Sequence, residues 1–281
     1  MKAYIRNSIV IALLSIGLYS CQKAEYVNSF SEFVDVYFDA DKTALRDNGA
    51  GVFIAARYNG NPIEWDVNAK KIKVIAGEGK FEFYDTRDGK VVAEKVIDVK
   101  PGSKETYILF QPTMDAPVVF MDPTAQNTES PAPAGHIKLK LANYANDLIP
   151  FENLDIKVSI SYFDADFNTV IEEVGTIKGV RNTIDQAEYQ ILPNGLPNPL
   201  PEYGYQYVFE FVNSSTGQPL LNHGGTAYSN IAFSPESISP LPVKNVFTLY
   251  MLSKETWGEA PPFIKKGDTF YEIITTVLFA N

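Results

Sequence analysis

One cysteine, two histidines and two tryptophans in 281 residues narrow the chemistry before any motif is sought. Cys21 has no thiol partner, so the chain cannot close a disulfide on itself and must be held by packing. Zinc takes three or four His, Cys or carboxylate ligands. His136 and His223 are far apart with no thiolate near either, so no metal site is expected. His136 reads as a strand-edge residue, and His223, in Asn222-His223-Gly224-Gly225, as part of a loop. Positive charge is scarce as well: 24 Lys and Arg stand against 34 Asp and Glu, a net charge of −10. An acidic chain repels phosphate backbones, so nucleic acid is not an expected partner. There is no Gly-x-Ser-x-Gly elbow, metal-binding helix or phosphate loop. Carboxylates are numerous enough for a glycosidase pair. Two short β-domains are nonetheless a small scaffold for an enzyme, and the expectation is no catalytic residue and no cofactor.

Long apolar runs are missing too, with one short exception. Ile9 to Leu18 falls well below the ~20 residues of a spanning helix. Lys2 and Arg6 precede it, which is the pattern of a signal peptide. Leu18-Tyr19-Ser20-Cys21 resembles the lipobox of bacterial lipoproteins, in which a small residue precedes the acylated cysteine. Tyr19 is bulkier than the residue usual there, and an ordinary cleaved signal peptide is the other reading. The resemblance implies a signal peptide over 1–20, lipid on Cys21 and a tether over 21–29. It also implies attachment to the outer membrane through that lipid, on the cell surface or the periplasmic face. Cleavage would remove two bases and no acid, so 24 − 2 = 22 bases against 34 acids leave −12 on 281 − 20 = 261 residues. That charge disfavours anionic lipid, so attachment would rest on acyl chains. Gln22-Lys23-Ala24-Glu25 is similar to the export tag of surface lipoproteins from Gram-negative, glycan-degrading anaerobes, and reads equally as a plain polar tether.

Beyond the leader the chain repeats itself. Tyr37-Phe38-Asp39-Ala40-Asp41 recurs as Tyr162-Phe163-Asp164-Ala165-Asp166, at an offset of 162 − 37 = 125. Phe81-Glu82-Phe83-Tyr84-Asp85-Thr86-Arg87-Asp88-Gly89 is echoed by Phe209-Glu210-Phe211-Val212-Asn213-Ser214-Ser215-Thr216-Gly217, at 209 − 81 = 128. Two matches in one order point to a duplicated domain, 30–122 and 136–281, separated by a Pro- and Ser-rich linker over 123–135. On this reading Phe38 matches Phe163 and Phe83 matches Phe211, each pair facing inward. Leu154, Ile156, Val158, Ile160 and Tyr162 alternate with polar residues, the period of a strand with one buried face. Val52 to Tyr58, Lys71 to Ile75, Lys90 to Val99, Thr106 to Phe110, Tyr205 to Val212, Val246 to Leu252 and Thr269 to Phe279 are further strands. Asp47-Asn48-Gly49, Asn59-Gly60-Asn61-Pro62, Asp88-Gly89, Pro101-Gly102 and Pro193-Asn194-Gly195 mark turns. The expected fold is all-β, two tandem Ig-like antiparallel β-sandwiches after a lipoprotein signal peptide. The apolar tail from Thr269 to Phe279 should close a sheet of the second.

Val34-Asp35-Val36-Tyr37-Phe38-Asp39, Ile72 to Phe83 with its Ala76-Gly77 turn, and Lys100 to Tyr107 together resemble a family of tandem bacterial extracellular domains of unknown function. The resemblance is strongest in the first repeat; in the second, Pro193 to Pro201 replaces the compact turn. It implies an Ig-like sandwich outside the inner membrane and brings no catalytic residues. Asp39-x-Asp41 and Asp164-x-Asp166-x-Asn168 offer oxygens for calcium, but Thr169 and Gly175 stand where an EF-hand needs glycine and a carboxylate. Strand-ending aspartates bonding a turn are the better reading. Trp65, Trp257 and Tyr203 lie beside Pro-rich or charged loops and are the candidate ligand-binding residues, since exposed rings stack on sugars and anchor protein interfaces. The expected role is non-catalytic binding at the cell envelope, with a glycan as ligand in a polysaccharide-uptake system. The alternative is an adhesive or pilus-type assembly component with a protein ligand.

Overall fold

A computed structural model describes residues 32–47, 51–102, 106–122, 124–194, 200–257 and 263–281. The expected signal peptide and tether with Cys21, and Asn48-Gly49, Ser103 to Glu105, Gly195 and Pro261-Pro262, lie outside these. The first half contributes β1 (Phe33–Thr43), β2 (Arg46–Asp47), β3 (Gly51–Val52), β4 (Ile54–Tyr58), β5 (Asn61–Ile63), β6 (Trp65–Asp66), β7 (Lys71–Ile75), β8 (Gly77–Asp85), β9 (Val91–Val99), β10 (Thr106–Gln111) and β11 (Val119–Met121). The second contributes β12 (His136–Asn143), β13 (Leu154–Phe163), β14 (Thr169–Val180), β15 (Tyr189–Pro193), β16 (Gln206–Asn213), β17 (Ser229–Phe233), β18 (Val246–Thr256), β19 (Ile264–Lys266) and β20 (Thr269–Ala280). Among the described residues the only helical pieces are short 3₁₀ turns.

One sheet order is used twice. The first half builds a sheet β11-β10-β1-β7-β6 and a sheet β5-β4-β8-β9. The second builds β15-β12-β18-β20-β19 and β14-β13-β16-β17. Setting β1, β4, β5, β7, β8, β9, β10 and β11 against β12, β13, β14, β15, β16, β17, β18 and β20 reproduces every neighbour relation. β6 and β19 are short additions at opposite edges, and the β2–β3 hairpin occurs in the first half alone. The all-β tandem-sandwich architecture is therefore present. One pair in each copy departs from antiparallel: β1 runs parallel to β10, and β12 to β18. A strand returning beside the domain's first strand after the whole crossover can take that direction, which a hairpin cannot.

Alternation fills both interiors. Phe38, Phe81 and Phe83 are fully buried in the first core; Ile156, Val158, Ile160, Phe209, Phe211 and Phe247 in the second. Each such side chain contributes about 1.5–3 kcal/mol through removal from water. Gly79 is required by close approach, because a Cβ there would sit 2.1 Å from the Tyr58 ring. The C-terminal segment forms β20 as expected, with Phe270, Ile273, Leu278 and Phe279 buried.

The two sequence echoes have different fates. Phe83 and Phe211 both stand on the same strand of the common order, each at 0% exposure. The turns that follow share two closing bonds. Gly89 N donates to Asp85 O and Gly217 N to Asn213 O, both at 2.8 Å. Arg87 N reaches Asp85 Oδ1 and Ser215 N reaches Asn213 Oδ1, both at 2.9 Å. The other echo is corrected. Phe38 lies on β1, whose counterpart is β12, whereas Phe163 ends β13, the counterpart of β4. Phe38 is buried, and Phe163 is 38% exposed on the outer side. What recurs is a local bond: the first aspartate accepts the N–H two residues on, at 2.8 Å in Asp39–Asp41 and 2.9 Å in Asp164–Asp166. Five residues specify that motif and not the strand that carries it. The first copy sits at a bulge inside β1 and not at a strand end.

The linker is docked. Within it Gln126 is buried against Thr248, and Lys244 Nζ donates to the Asn127 carbonyl at 2.6 Å. Lys138 Nζ is held by Glu129 and Ser130. Next to it Phe110, on the outer side of β10, packs edge-on against Tyr250 at 5.0 Å and Tyr144 at 5.8 Å. Ala142, Ile184, Leu278 and Phe279 join this apolar contact, through which Phe110 of the first half is buried against the second.

Candidate functional site

The three aromatics singled out by sequence do not come together. Trp65 stands on β6 and not in a loop. Its ring meets Phe83 at 5.1 Å in the first core, and its Nε1 is buried without a protein partner. Trp257 follows β18 and is 101% exposed. It lies beyond Thr256, whose partner Phe270 carries the His223 ring at 5.2 Å. Tyr203 ends the 3₁₀ turn Pro201–Tyr203 and is 55% exposed.

Tyr203 has aromatic company that sequence reasoning missed. Phe163 lies 6.0 Å from it and Phe167 5.6 Å, with interplanar angles of 82° and 84°. All three rings face solvent at the tip of the β13–β14 hairpin. The alternation that buries Ile160 and half-buries Tyr162 places Phe163 outward, so the signal existed and the false match with Phe38 obscured it. On the same outer surface Ile171 lies opposite Ser161, and Val208 lies between Ser159 and the exposed Ile231.

The hairpin tip is built by Asp164. Its Oδ1 accepts from Asp166 N and Asn168 N at 2.9 and 2.8 Å. These bonds, the Asn168 N–H foremost, hold its carboxyl below the usual aspartate range. Phe167 N then donates to Asp164 O at 3.0 Å, and Asp164 N to Asn168 O at 3.0 Å. That is a type I turn followed by a left-handed residue, a place usually given to glycine or asparagine. Here it is Phe167, at φ 62°. On the other side Tyr205 donates to Asn194, and Tyr207 donates to the Pro193 carbonyl at 2.6 Å. Burial pushes the Tyr205 hydroxyl up to about 12, so it stays a donor.

The aspartate pairs do not look like calcium sites. Lys70 Nζ reaches Asp39 Oδ2 at 2.7 Å and Asp41 Oδ2 at 2.6 Å, and Arg46 also pairs with Asp41. An ammonium occupies the place a cation would take. At the other pair, the Asp164 oxygens are spent on the turn. Among the described residues no group of three or more His, Cys, Asp or Glu is placed to hold a metal. His136 Nδ1 lies 2.9 Å from the Ala134 carbonyl and His223 Nδ1 3.2 Å from that of Phe263.

Two sheet edges of the second sandwich are guarded. The Gln190 side-chain amide both accepts from Lys178 N and donates to Lys178 O at 2.8 Å, closing part of β14. β19 is a three-residue edge carrying Lys265 and Lys266.

No family model matches the chain, and no curated protein matches it. A solved structure of a streptococcal virulence factor that binds alpha-glucan is similar at 13% identity, over 78% of this chain and 93% of that one. The TM-score is 0.19, too low to place the two chains in one fold, so that protein's ligand says nothing of this one.

Proposed function

We propose that this chain is a lipid-anchored protein of the outer membrane whose second sandwich binds a glycan without catalysing its breakdown. The observation that carries the proposal is the exposed Phe163–Phe167–Tyr203 cluster at the tip of a well-braced hairpin. Aromatic faces and edges pack against the C–H surfaces of pyranose rings, and side chains fixed beforehand lose little freedom on binding. Phe167 adds weight. A left-handed conformation costs a non-glycine residue roughly 1–2 kcal/mol, and its ring returns little of that to the core. Trp257 is a second candidate contact on the same sandwich; Trp65 is committed to the first core.

Phe167→Gly tests the role of the tip. It should keep or raise the melting temperature by relieving the backbone, while weakening retention on immobilised polysaccharide. Loss of stability with unchanged retention would mean that the ring serves the fold. Cys21→Ser tests the anchor and should move the protein from the membrane to the soluble fraction. A product that stays wholly membrane-bound would refute acylation at Cys21.

A further inference from the structure

The tip is surrounded by charge of one sign. No Lys or Arg occurs between Lys157 and Lys178, or between Arg181 and Lys244. Lys157 is paired with Glu210 at 3.2 Å and Lys178 with Asp155 at 3.0 Å. Lys138 and Lys244, at the starts of strands in the other sheet, are held by the linker. Against this stand Asp164 and Asp166 in the turn, Glu173 on β14, and Glu202 beside Tyr203; Glu172 is turned to the other face, where Tyr162 donates to it at 2.6 Å. Glu236 joins them: its Oε2 lies 2.5 Å from where a Cβ on Gly204 would project. Gly204, at φ 64°, lets this carboxylate close on the backbone next to Tyr203.

Resting on the glycan reading above, we infer that this tip takes an uncharged glycan and rejects acidic ones. Carboxylates accept hydrogen bonds from sugar hydroxyls, and a charged acceptor makes a stronger bond than a neutral one. A polymer bearing uronate or sulfate groups would bring further negative charge up to these carboxylates, with no Lys or Arg between Lys157 and Lys178 or between Arg181 and Lys244 to receive it. The aromatic rings supply contact area, and the acids decide which chains approach.

The test uses the full chain in detergent and native electrophoresis through gels containing neutral glucans, mannans or xylans, or acidic polygalacturonate, alginate or chondroitin sulfate. A neutral polymer should retard the protein about equally at low and high salt. Tyr203→Ala should weaken that retardation about tenfold, and Phe167→Gly should weaken it too. Melting curves confirm that both variants are folded. Acidic polymers should give no retardation at low salt. An acidic polymer that binds at low salt and is lost with Tyr203→Ala would overturn the charge selection and leave the glycan reading standing. Neutral binding undiminished in both variants would place the site elsewhere on the chain. No retardation by any polymer would overturn the glycan reading itself, and this inference with it.

Discussion

The two sandwiches share a strand order and differ in how they finish the same hairpin. In the first, β4 turns into β5 through Asn59-Gly60, both at positive φ (50° and 79°), the tightest turn a hairpin can use. In the second, the corresponding β13–β14 turn is longer, runs through Asp164 to Asn168 and lifts Phe167 into solvent. The cores differ far less: Phe83 and Phe211 are interchangeable in position, burial and the turn that follows. A duplicated fold is constrained where side chains must fill an interior and free where a hairpin tip meets water. The candidate site lies at the free position, and only one copy has it.

The largest expected effect would break the comparison outright. Removing 269–281 takes away β20, which lies between β18 and β19 and buries Ile273 at 1% exposure. The second sandwich should unfold and the first should keep its own calorimetric transition, though with Phe110 uncovered. An unchanged two-transition profile would show that β20 is dispensable and that this edge is free to pair with another chain. Next come the paired phenylalanines. Phe83→Ala and Phe211→Ala should each cost about 3–5 kcal/mol in denaturant melts, because both leave a cavity in equivalent places. Phe38→Ala should cost a similar amount, and Phe163→Ala, at an exposed site, roughly 1 kcal/mol or less. Equal losses for Phe38 and Phe163 would restore the strand equivalence that the sheet order denies.

The smallest effect concerns one turn in its two versions. Asp85 is held below the ordinary carboxylate value of 3.8 by the Arg87 guanidinium, while Asn213 occupies the same position and cannot titrate. A carboxyl whose folded pKa is depressed contributes stability above its unfolded pKa and loses it as pH falls through the folded value. The first sandwich should therefore lose melting temperature through this turn as pH drops below about 4. Asp85→Asn, which copies the second sandwich, should flatten that loss. An unaltered acid profile would remove Asp85 from the account.

Much of the framework was legible along the chain. Alternation located β13, and apolar content located β20. β14 was not visible, because Thr169 to Val180 mixes Glu172, Glu173, Gly175 and Gly179 into an edge strand buried on little of its length. Trp65 misled for the opposite reason. Its neighbours are polar and Pro-bearing, yet a two-residue strand turns its ring inward against Phe83. The site was half legible: Tyr203 stood out after a Pro-rich loop, while Phe163 was absorbed into a repeat that is local in character and Phe167 lay just beyond it.

By itself the sequence determined that the chain is all-β and acidic, because period-two patterning and charge counts are properties of residues near one another or of their sum. Only the tertiary structure decided which repeat was a strand equivalence and which a shared Asx motif. It also decided that Lys70 fills the space between Asp39 and Asp41, and that Phe163, Phe167 and Tyr203 meet. The physical reason is separation along the chain. Lys70 reaches back about thirty residues, and Tyr203 meets rings some forty residues earlier, through sheet pairings that close only when the whole sandwich packs.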